Sequence, residues 1–198
     1  LIPSHGGSGV VIHTQRDRTW ILSAAHLFKG KKPIRIEVPM AKVANPKKVG
    51  VFLIARDARR DLALVELRFG PLPYVAPVSE RGTTLTRGQW LLSVGYDRLR
   101  KPAQMQWTRL QSISGGVPYT TKPPWHGRSG GALLDMKTGR LVGIVSGYER
   151  PYPSGRGVYV SLQAIHQFLY NYARPTPRII EQRFRQPRVL EQRWSCPT

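Results

Sequence analysis

The chain has 198 residues, which is long enough to bury a sizeable core as one or two small units. Its single cysteine, Cys196, excludes an intramolecular disulfide, and no stretch reaches the apolar length of a membrane span. With 31 Lys and Arg against 11 Asp and Glu, the formal net charge is +20, which attracts polyanions and acidic partners or simply maintains solubility.

Short apolar runs, separated by 19 glycines and 17 prolines, are typical of an all-β fold. We therefore predict strands where such a run lies between turn residues. In chain order, the main runs are residues 20–22, 34–38, 49–54, 62–67, 105–107, 110–113 and 132–134.

The last predicted element is a helix that begins after Ser161, whose hydroxyl can cap it. Apolar side chains then recur at helical spacing and bury one face of the helix. They are Leu162, Ile165, Phe168, Leu169 and Tyr172. His166 in this helix is interpreted as a packing or surface residue. Because His5, His13 and His126 also lack metal-ligand spacing, no metal or cofactor is predicted.

Two polar residues stand beside predicted strands in the first half of the chain. His26 follows the apolar run 20–22 through three small residues, which let the chain turn so that the imidazole meets a cleft. Asp61 opens the strand 62–67, where a carboxylate can be held half-buried. Taken singly, such residues are more often structural, since a strand-leading Asp is usually a turn residue.

The second half contains Ser129 in the motif Gly-Arg-Ser-Gly-Gly at residues 127–131. A serine hydroxyl is a poor nucleophile near neutral pH, so it needs an imidazole to take its proton and a carboxylate to fix that imidazole's tautomer. The flanking glycines let the amides of Gly127 and Ser129 face a developing oxyanion, at about 3 kcal/mol per donor. The glycine-rich motif alone can be an ordinary turn, but together His26, Asp61 and Ser129 predict a catalytic triad.

In these motifs and their order, the chain resembles the trypsin-like (chymotrypsin-fold) serine proteases, from about residue 6 to residue 172. Residues 85–95 are similar to a strand of the bacterial Deg-type members. The resemblance implies an all-β fold of two six-stranded antiparallel barrels, with the active site in the cleft between them, plus a C-terminal helix. The protease domain is expected at residues 1–173, with barrels at about 5–78 and 84–173 and a boundary in the Pro-rich connection 70–84.

The resemblance also implies which residues bind a protein or peptide substrate. Residues 142–147 look like the strand that binds the substrate backbone, and residues 157–160 look like the strand that closes the primary specificity pocket. The implied substrate-binding residues are Pro123, His126, Ser146, Gly147, Tyr148 and Gly157. No acid lies between Pro123 and Ser129 to pair with a substrate cation, so we expect a small to medium apolar residue on the acyl side of the cut, for which Gly157 leaves room.

Arg128 departs from the family pattern. Zymogen-activated members carry Asp before the nucleophile, where it pairs with a freed amino terminus, and a cation cannot make that pair. The departure favours the bacterial type, which is active without this salt bridge. It also leaves open a binding or scaffold protein of weak or lost activity, because Arg128 and the bulky pair Trp125 and His126 can block or reorient the cleft. A third possibility, an esterase, would use the same triad.

The segment 174–198 is rich in Arg and Pro and contains a near-duplicate at a ten-residue offset. It can be a mobile tail, an arm that pairs along the domain, or a linker to another domain. We expect it to be dispensable for catalysis. No nucleic-acid motif is present. By family resemblance, the protein is expected to be secreted or located in the cell envelope.

Overall fold

The structure is a computed structural model that describes residues 6–29, 51–97 and 102–172. Within these ranges, the strands are β1 (Val10–Thr14), β2 (Thr19–Ser23), β3 (Val51–Asp57), β4 (Leu62–Leu67), β5 (Trp90–Gly95), β6 (Gln104–Ser114), β7 (Val117–Thr120), β8 (Ala132–Asp135), β9 (Leu141–Tyr148) and β10 (Gly157–Ser161). A 3₁₀ turn spans Ala25–Phe28, and helix α1 spans Leu162–Tyr172. The predicted run 34–38 and the segment 174–198 lie outside the described residues.

The first half forms a four-stranded antiparallel sheet in the order β1-β2-β4-β3. Its central strand β4 is buried along its apolar run, with Leu62, Ala63, Leu64 and Val65 at most 1% exposed. Apolar residues on both faces therefore pack against other parts of the chain, which explains a continuous run rather than alternation. The expectation of six strands in this half includes run 34–38, which the structure does not describe.

The second half forms a closed antiparallel barrel of six strands in the order β10-β7-β6-β5-β8-β9, as the family resemblance implied for it. The interior is filled by inward-facing side chains, as expected for a barrel of this size. They are Leu91, Leu110, Leu133, Val142, Val145 and Tyr159.

Helix α1 begins where the sequence predicts, with Ser161 as its N-cap: the Ala164 amide donates to the Ser161 hydroxyl at 3.3 Å. The prediction is wrong for Tyr172, which lies at the end of the helix and is 44% exposed, whereas the other four predicted residues, Leu162, Ile165, Phe168 and Leu169, are buried. These side chains share one core cluster with residues of both sheets, among them Leu22 and Ile144. In the described part of the chain, no helix is long and apolar enough to cross a membrane.

The connection between the two sheets is hydrogen-bonded to both of them. Ala76 donates its amide to Val11 of β1 at 2.9 Å. Two residues later, Val78 forms a parallel bridge with Leu141, where β9 begins. The connection therefore helps to fix one sheet against the other, while a domain boundary within residues 70–84 stays a prediction.

Phe168 is 0% exposed and lies in the core that α1 shares with both sheets. We expect Phe168→Ala to lower the free energy of unfolding by about 3–5 kcal/mol, because it removes buried apolar surface and leaves a cavity. The exposed Gln163 on the same helix provides the control, since Gln163→Ala should change stability by less than about 0.5 kcal/mol. Urea denaturation of both variants checks this, and equal midpoints would contradict the packing described.

Candidate active site

His26 and Asp61 are brought together by the first sheet. His26 lies in the 3₁₀ turn that follows β2, and Asp61 immediately precedes β4, which pairs with β2. Asp61 has a left-handed backbone (φ 56°), which Asp tolerates better than most residues. The buried Asp57 fixes the turn before it by accepting the amides of Arg59 and Arg60, both at 3.0 Å.

The Asp61 carboxylate accepts three different donors. His26 Nδ1 lies 3.0 and 2.9 Å from its two oxygens, and the His26 amide donates to Oδ1 at 2.9 Å. The Ser146 hydroxyl, on β9 of the barrel, donates to Oδ2 at 2.6 Å. With Nδ1 bonded to the carboxylate, the neutral imidazole carries its proton there and leaves Nε2 free to accept one.

These contacts also set the ionisation of Asp61. Burial raises the pKa of the carboxyl, but the hydrogen bonds from His26 and Ser146 and the His26 charge outweigh it, so the pKa lies below its ordinary value. Asp61 is therefore a carboxylate at neutral pH. An anion at this position stabilises an imidazolium when His26 accepts a proton.

Backbone hydrogen bonds fix the peptide groups of the turn that carries Ser129. The Arg128 carbonyl accepts from the Gly131 amide at 2.8 Å, and the Arg128 amide donates to Trp125 at 3.1 Å. The carbonyl of Ser129 accepts from the Ser8 amide at 2.7 Å. Because the carbonyl and amide of a trans peptide point in opposite directions, the Gly131 contact turns the Ser129 amide away from the loop. In the described residues, the Gly127 and Ser129 amides make no hydrogen bond within the protein.

Ser8 is a site residue that sequence reasoning missed. Its hydroxyl donates to the Gly127 carbonyl at 3.0 Å and accepts the Tyr96 amide at 2.8 Å, while its carbonyl accepts the Ser23 hydroxyl at 2.7 Å. Ser8 thereby joins the turn that carries Ser129 to the end of β2, three residues before His26. The only signal in the sequence is a small polar residue between glycines before the first strand.

Gly130 permits this close approach. It has φ 83°, and a Cβ atom at this position would lie 2.2 Å from the Ser8 carbonyl oxygen and 2.4 Å from the Ser23 hydroxyl. Its amide donates to Val145 at 2.8 Å, next to Ser146. The residue after Ser129 is therefore fixed against the end of β2, which precedes His26, and against β9 next to Ser146. Between the side chains themselves, the structure contains no hydrogen bond from Ser129 to His26 Nε2, which is common before a substrate binds.

Most of the predicted substrate-binding residues lie together where β9 ends and β10 begins. Ser146, Gly147 and Tyr148 end β9, and Gly157 begins β10, where it pairs with Tyr148. The Tyr148 hydroxyl lies 3.2 Å from Nε2 of His126, the residue immediately before Gly127. Pro123 is buried. Contacts among the rings of Trp125, His126, Tyr148 and Tyr152 extend this edge into an aromatic rim.

Two features differ from the sequence-based expectation. The space beside Gly157 is taken up within the protein, because a Cβ atom there would lie 2.5 Å from Thr120 Oγ1 and 2.9 Å from a ring carbon of Tyr159. Arg128 is buried and turns into the barrel, so it does not block the cleft as considered above. A buried cation is stable there because Asp97 pairs with it.

Comparison with known proteins places this geometry in context. A family model described as trypsin-like peptidase domain matches residues 7–144. The serine endoprotease from Yersinia pestis superposes with a TM-score of 0.70 at 21% sequence identity, over 84% of this chain and 57% of that one. The HtrA-type protease AlgW, determined with a decapeptide, gives a TM-score of 0.69 at 18% identity, over 84% of this chain and 51% of its own.

The chain therefore spans little more than half the length of these two proteins, and at such identities the likeness concerns the fold. No curated protein matches the chain in sequence.

The packing around Gly130 makes a specific prediction. We expect Gly130→Ala to destabilise the protein by at least about 3 kcal/mol, because the new methyl group meets backbone and the backbone is left-handed. The matched control is Gly139→Ala, which has φ 67° but no atom within 4 Å of the added Cβ, and should cost only about 1–2 kcal/mol. Denaturation of both variants checks this, and equal losses would show that the two segments are not packed as described.

Proposed function

The chain belongs to the family of trypsin-like peptidases, and on that premise we propose that it is a serine endopeptidase that cleaves proteins or peptides through an acyl-enzyme. In this proposal Ser129 is the nucleophile, His26 the general base and then acid, and Asp61 the group that orients His26. The amides of Gly127 and Ser129 stabilise the oxyanion.

The proposed reaction has two halves. His26 Nε2 takes the proton of the Ser129 hydroxyl as its oxygen attacks the scissile carbonyl, and the tetrahedral oxyanion lies against the Gly127 and Ser129 amides. His26 then gives that proton to the leaving amine. Water then enters and loses a proton to His26 as its oxygen attacks the acyl carbonyl. His26 returns that proton to the Ser129 oxygen as the ester bond breaks, which releases the carboxylic acid and restores the Ser129 hydroxyl.

One observation carries the proposal: the Asp61 carboxylate accepts hydrogen bonds from both the ring and the backbone amide of His26, and also from the Ser146 hydroxyl of the barrel. A carboxylate that only shaped a turn would not need three donors from two distant segments of the chain. The contact leaves the second ring nitrogen of His26 free for a proton from Ser129. The cost of burying the Asp61 carboxylate is offset by these three hydrogen bonds.

A binding or scaffold protein is the alternative, favoured by the ring contacts of His126 with Tyr148 and Tyr152 beside the site. If these rings keep substrates out, the fold is used without turnover. An esterase with the same three residues is a further alternative. A fluorophosphonate label tests for an activated hydroxyl, and peptide substrates then separate a peptidase from an esterase.

We expect Ser129→Ala to abolish peptide cleavage and fluorophosphonate labelling while the protein stays folded, because one small hydroxyl is lost. Peptide cleavage and labelling should both persist in the control Ser114→Ala, which changes an exposed serine at the end of β6. Asp61→Asn should lower the rate of cleavage somewhat less than Ser129→Ala, because the Ser129 hydroxyl is still present. The two losses should not add, since these residues act as a unit. Undiminished cleavage by the Ser129→Ala protein would refute the proposal.

The residue preferred on the acyl side of the cut should be small to medium and apolar. Pro123 and Pro124 before the nucleophile turn are buried, and no acid lies between Pro123 and Ser129 to pair with Lys or Arg of a substrate. The side chains of Thr120 and Tyr159 narrow the space beside Gly157. Cleavage sites in a peptide library, identified by mass spectrometry, check this, and a profile dominated by Lys or Arg would contradict it.

Further parts of the proposal rest on the sequence alone. Attraction to acidic or polyanionic surfaces, and a secreted or envelope location, stay predictions. A dispensable segment 174–198 and a docking role for it concern residues outside those that the structure describes.

A further inference from the structure

Arg128 is an unusual residue to find between Gly127 and Ser129, because its side chain is 1% exposed. It is among the largest fully buried side chains in the described part of the protein. A guanidinium stays charged at any pH in which proteins fold, so burying it is costly unless every hydrogen-bond donor finds a suitable acceptor.

Asp97 supplies the opposite charge. Arg128 Nε donates to Asp97 Oδ1 at 2.7 Å, and Nη2 donates to Asp97 Oδ2, so the two groups meet with the fork geometry of a bidentate pair. The third nitrogen, Nη1, donates to Gln106 Oε1 at 2.9 Å and more weakly to the Ser93 carbonyl at 3.4 Å. The Asp97 side chain is itself only 15% exposed.

All of these acceptors lie on one wall of the barrel. Ser93 and Gln106 are directly paired across β5 and β6, and Asp97 follows the end of β5. Gly95 lies between them, and a Cβ atom there would be 2.7 Å from Arg128 Cγ. The absence of a side chain at Gly95 therefore leaves space in this wall for the aliphatic part of the Arg128 side chain, between residues of the paired strands β5 and β6.

The pair is placed to control the geometry of the oxyanion site. The peptide groups on either side of the Arg128 Cα belong to Gly127–Arg128 and Arg128–Ser129, so rotation about that Cα swings both. The Ser129 amide is part of the second of these groups. An anchored side chain limits that rotation, because Cα cannot move relative to the barrel wall.

We propose that the buried Arg128–Asp97 pair is a positioning device that holds the nucleophile turn in its catalytically competent shape from inside the barrel. The proposal rests on the proposed function. Arg128 and Asp97 touch neither substrate nor the reacting atoms in this scheme and act through the backbone of residues 127–129. Breaking the pair should therefore weaken transition-state stabilisation while leaving substrate binding on β9 intact.

The test compares Asp97→Asn with Asp135→Asn. Asp135 is also a buried carboxylate of the barrel, 6% exposed, and accepts Gln89 Nε2 at 2.8 Å. It pairs with Leu91, whereas Asp97 lies beyond the opposite end of the same strand β5. Both substitutions therefore remove one negative charge from the same barrel, but Asp97→Asn does so near the candidate site and Asp135→Asn does so at the far end of β5.

Four quantities are measured for each folded variant: kcat and KM on a peptide substrate, the affinity of a peptide aldehyde, and the Kd of the uncleaved peptide in a Ser129→Ala background. We expect Asp97→Asn to lower kcat about 10- to 100-fold and to weaken the aldehyde similarly, since a displaced oxyanion donor costs this order of magnitude. The peptide Kd should change less than about twofold. Asp135→Asn should keep kcat within about threefold, whatever it does to the melting temperature.

Arg128→Lys provides the second variant, because it keeps the charge but loses the bidentate fork. We expect it to retain more kcat than Arg128→Gln, and it replaces Asp97→Asn in the comparison if the latter does not fold. A folded Asp97→Asn protein with kcat within threefold of the native value overturns the proposal. So does an equal loss of kcat in Asp135→Asn, or a loss confined to KM.

The native protein distinguishes failure of this inference from failure of the proposed function. If it neither cleaves the peptide nor reacts with fluorophosphonate at Ser129, the function falls and the inference with it. If it does both and the Asp97 and Arg128 variants match it, only the positioning role is wrong.

Discussion

The contacts of Asp61 require both halves of the molecule to be folded at once. Its donors come from His26 in the first sheet and from Ser146 in the barrel. A carboxylate half-removed from water is destabilising unless such donors are present, so neither sheet can present this residue correctly without the other. The arrangement of His26 and Asp61 is consequently a property of the contact between the sheets.

Ser8 and Gly130 meet this requirement with different chemistry. Ser8, just before β1, forms a hydrogen bond to the turn that carries Ser129. Gly130 has no side chain, so the backbone of this turn can approach the backbone of Ser8 closely. On the barrel side, Arg128 enters the interior and is neutralised by Asp97. The turn around Ser129 is thus bonded to Ser8 on one side and, through Arg128, to Asp97 of the barrel on another.

Much of this could be predicted from sequence because it depends on local pattern. The family indicated by the motifs is confirmed, and so are the all-β class, the closed barrel and the helix after Ser161. The role of Ser146 toward Asp61 was not predicted, because 85 residues separate the two and only the tertiary fold brings them together. The sequence suggests that Arg128 can block the cleft, because it gives no indication that Asp97, 31 residues away, pairs with Arg128 in the barrel interior.

The position of α1 has a consequence for the order of synthesis. Its residues 165, 168 and 169 fill a core to which strands of both sheets contribute, and they are the last buried apolar residues in the described part of the chain. A nascent chain that has emerged only as far as β10 already contains His26, Asp61 and Ser129 but lacks the side chains that close this interior. Chain elongation itself therefore delays completion of this core until α1 has left the ribosome, well after the three residues of the candidate site have been synthesised.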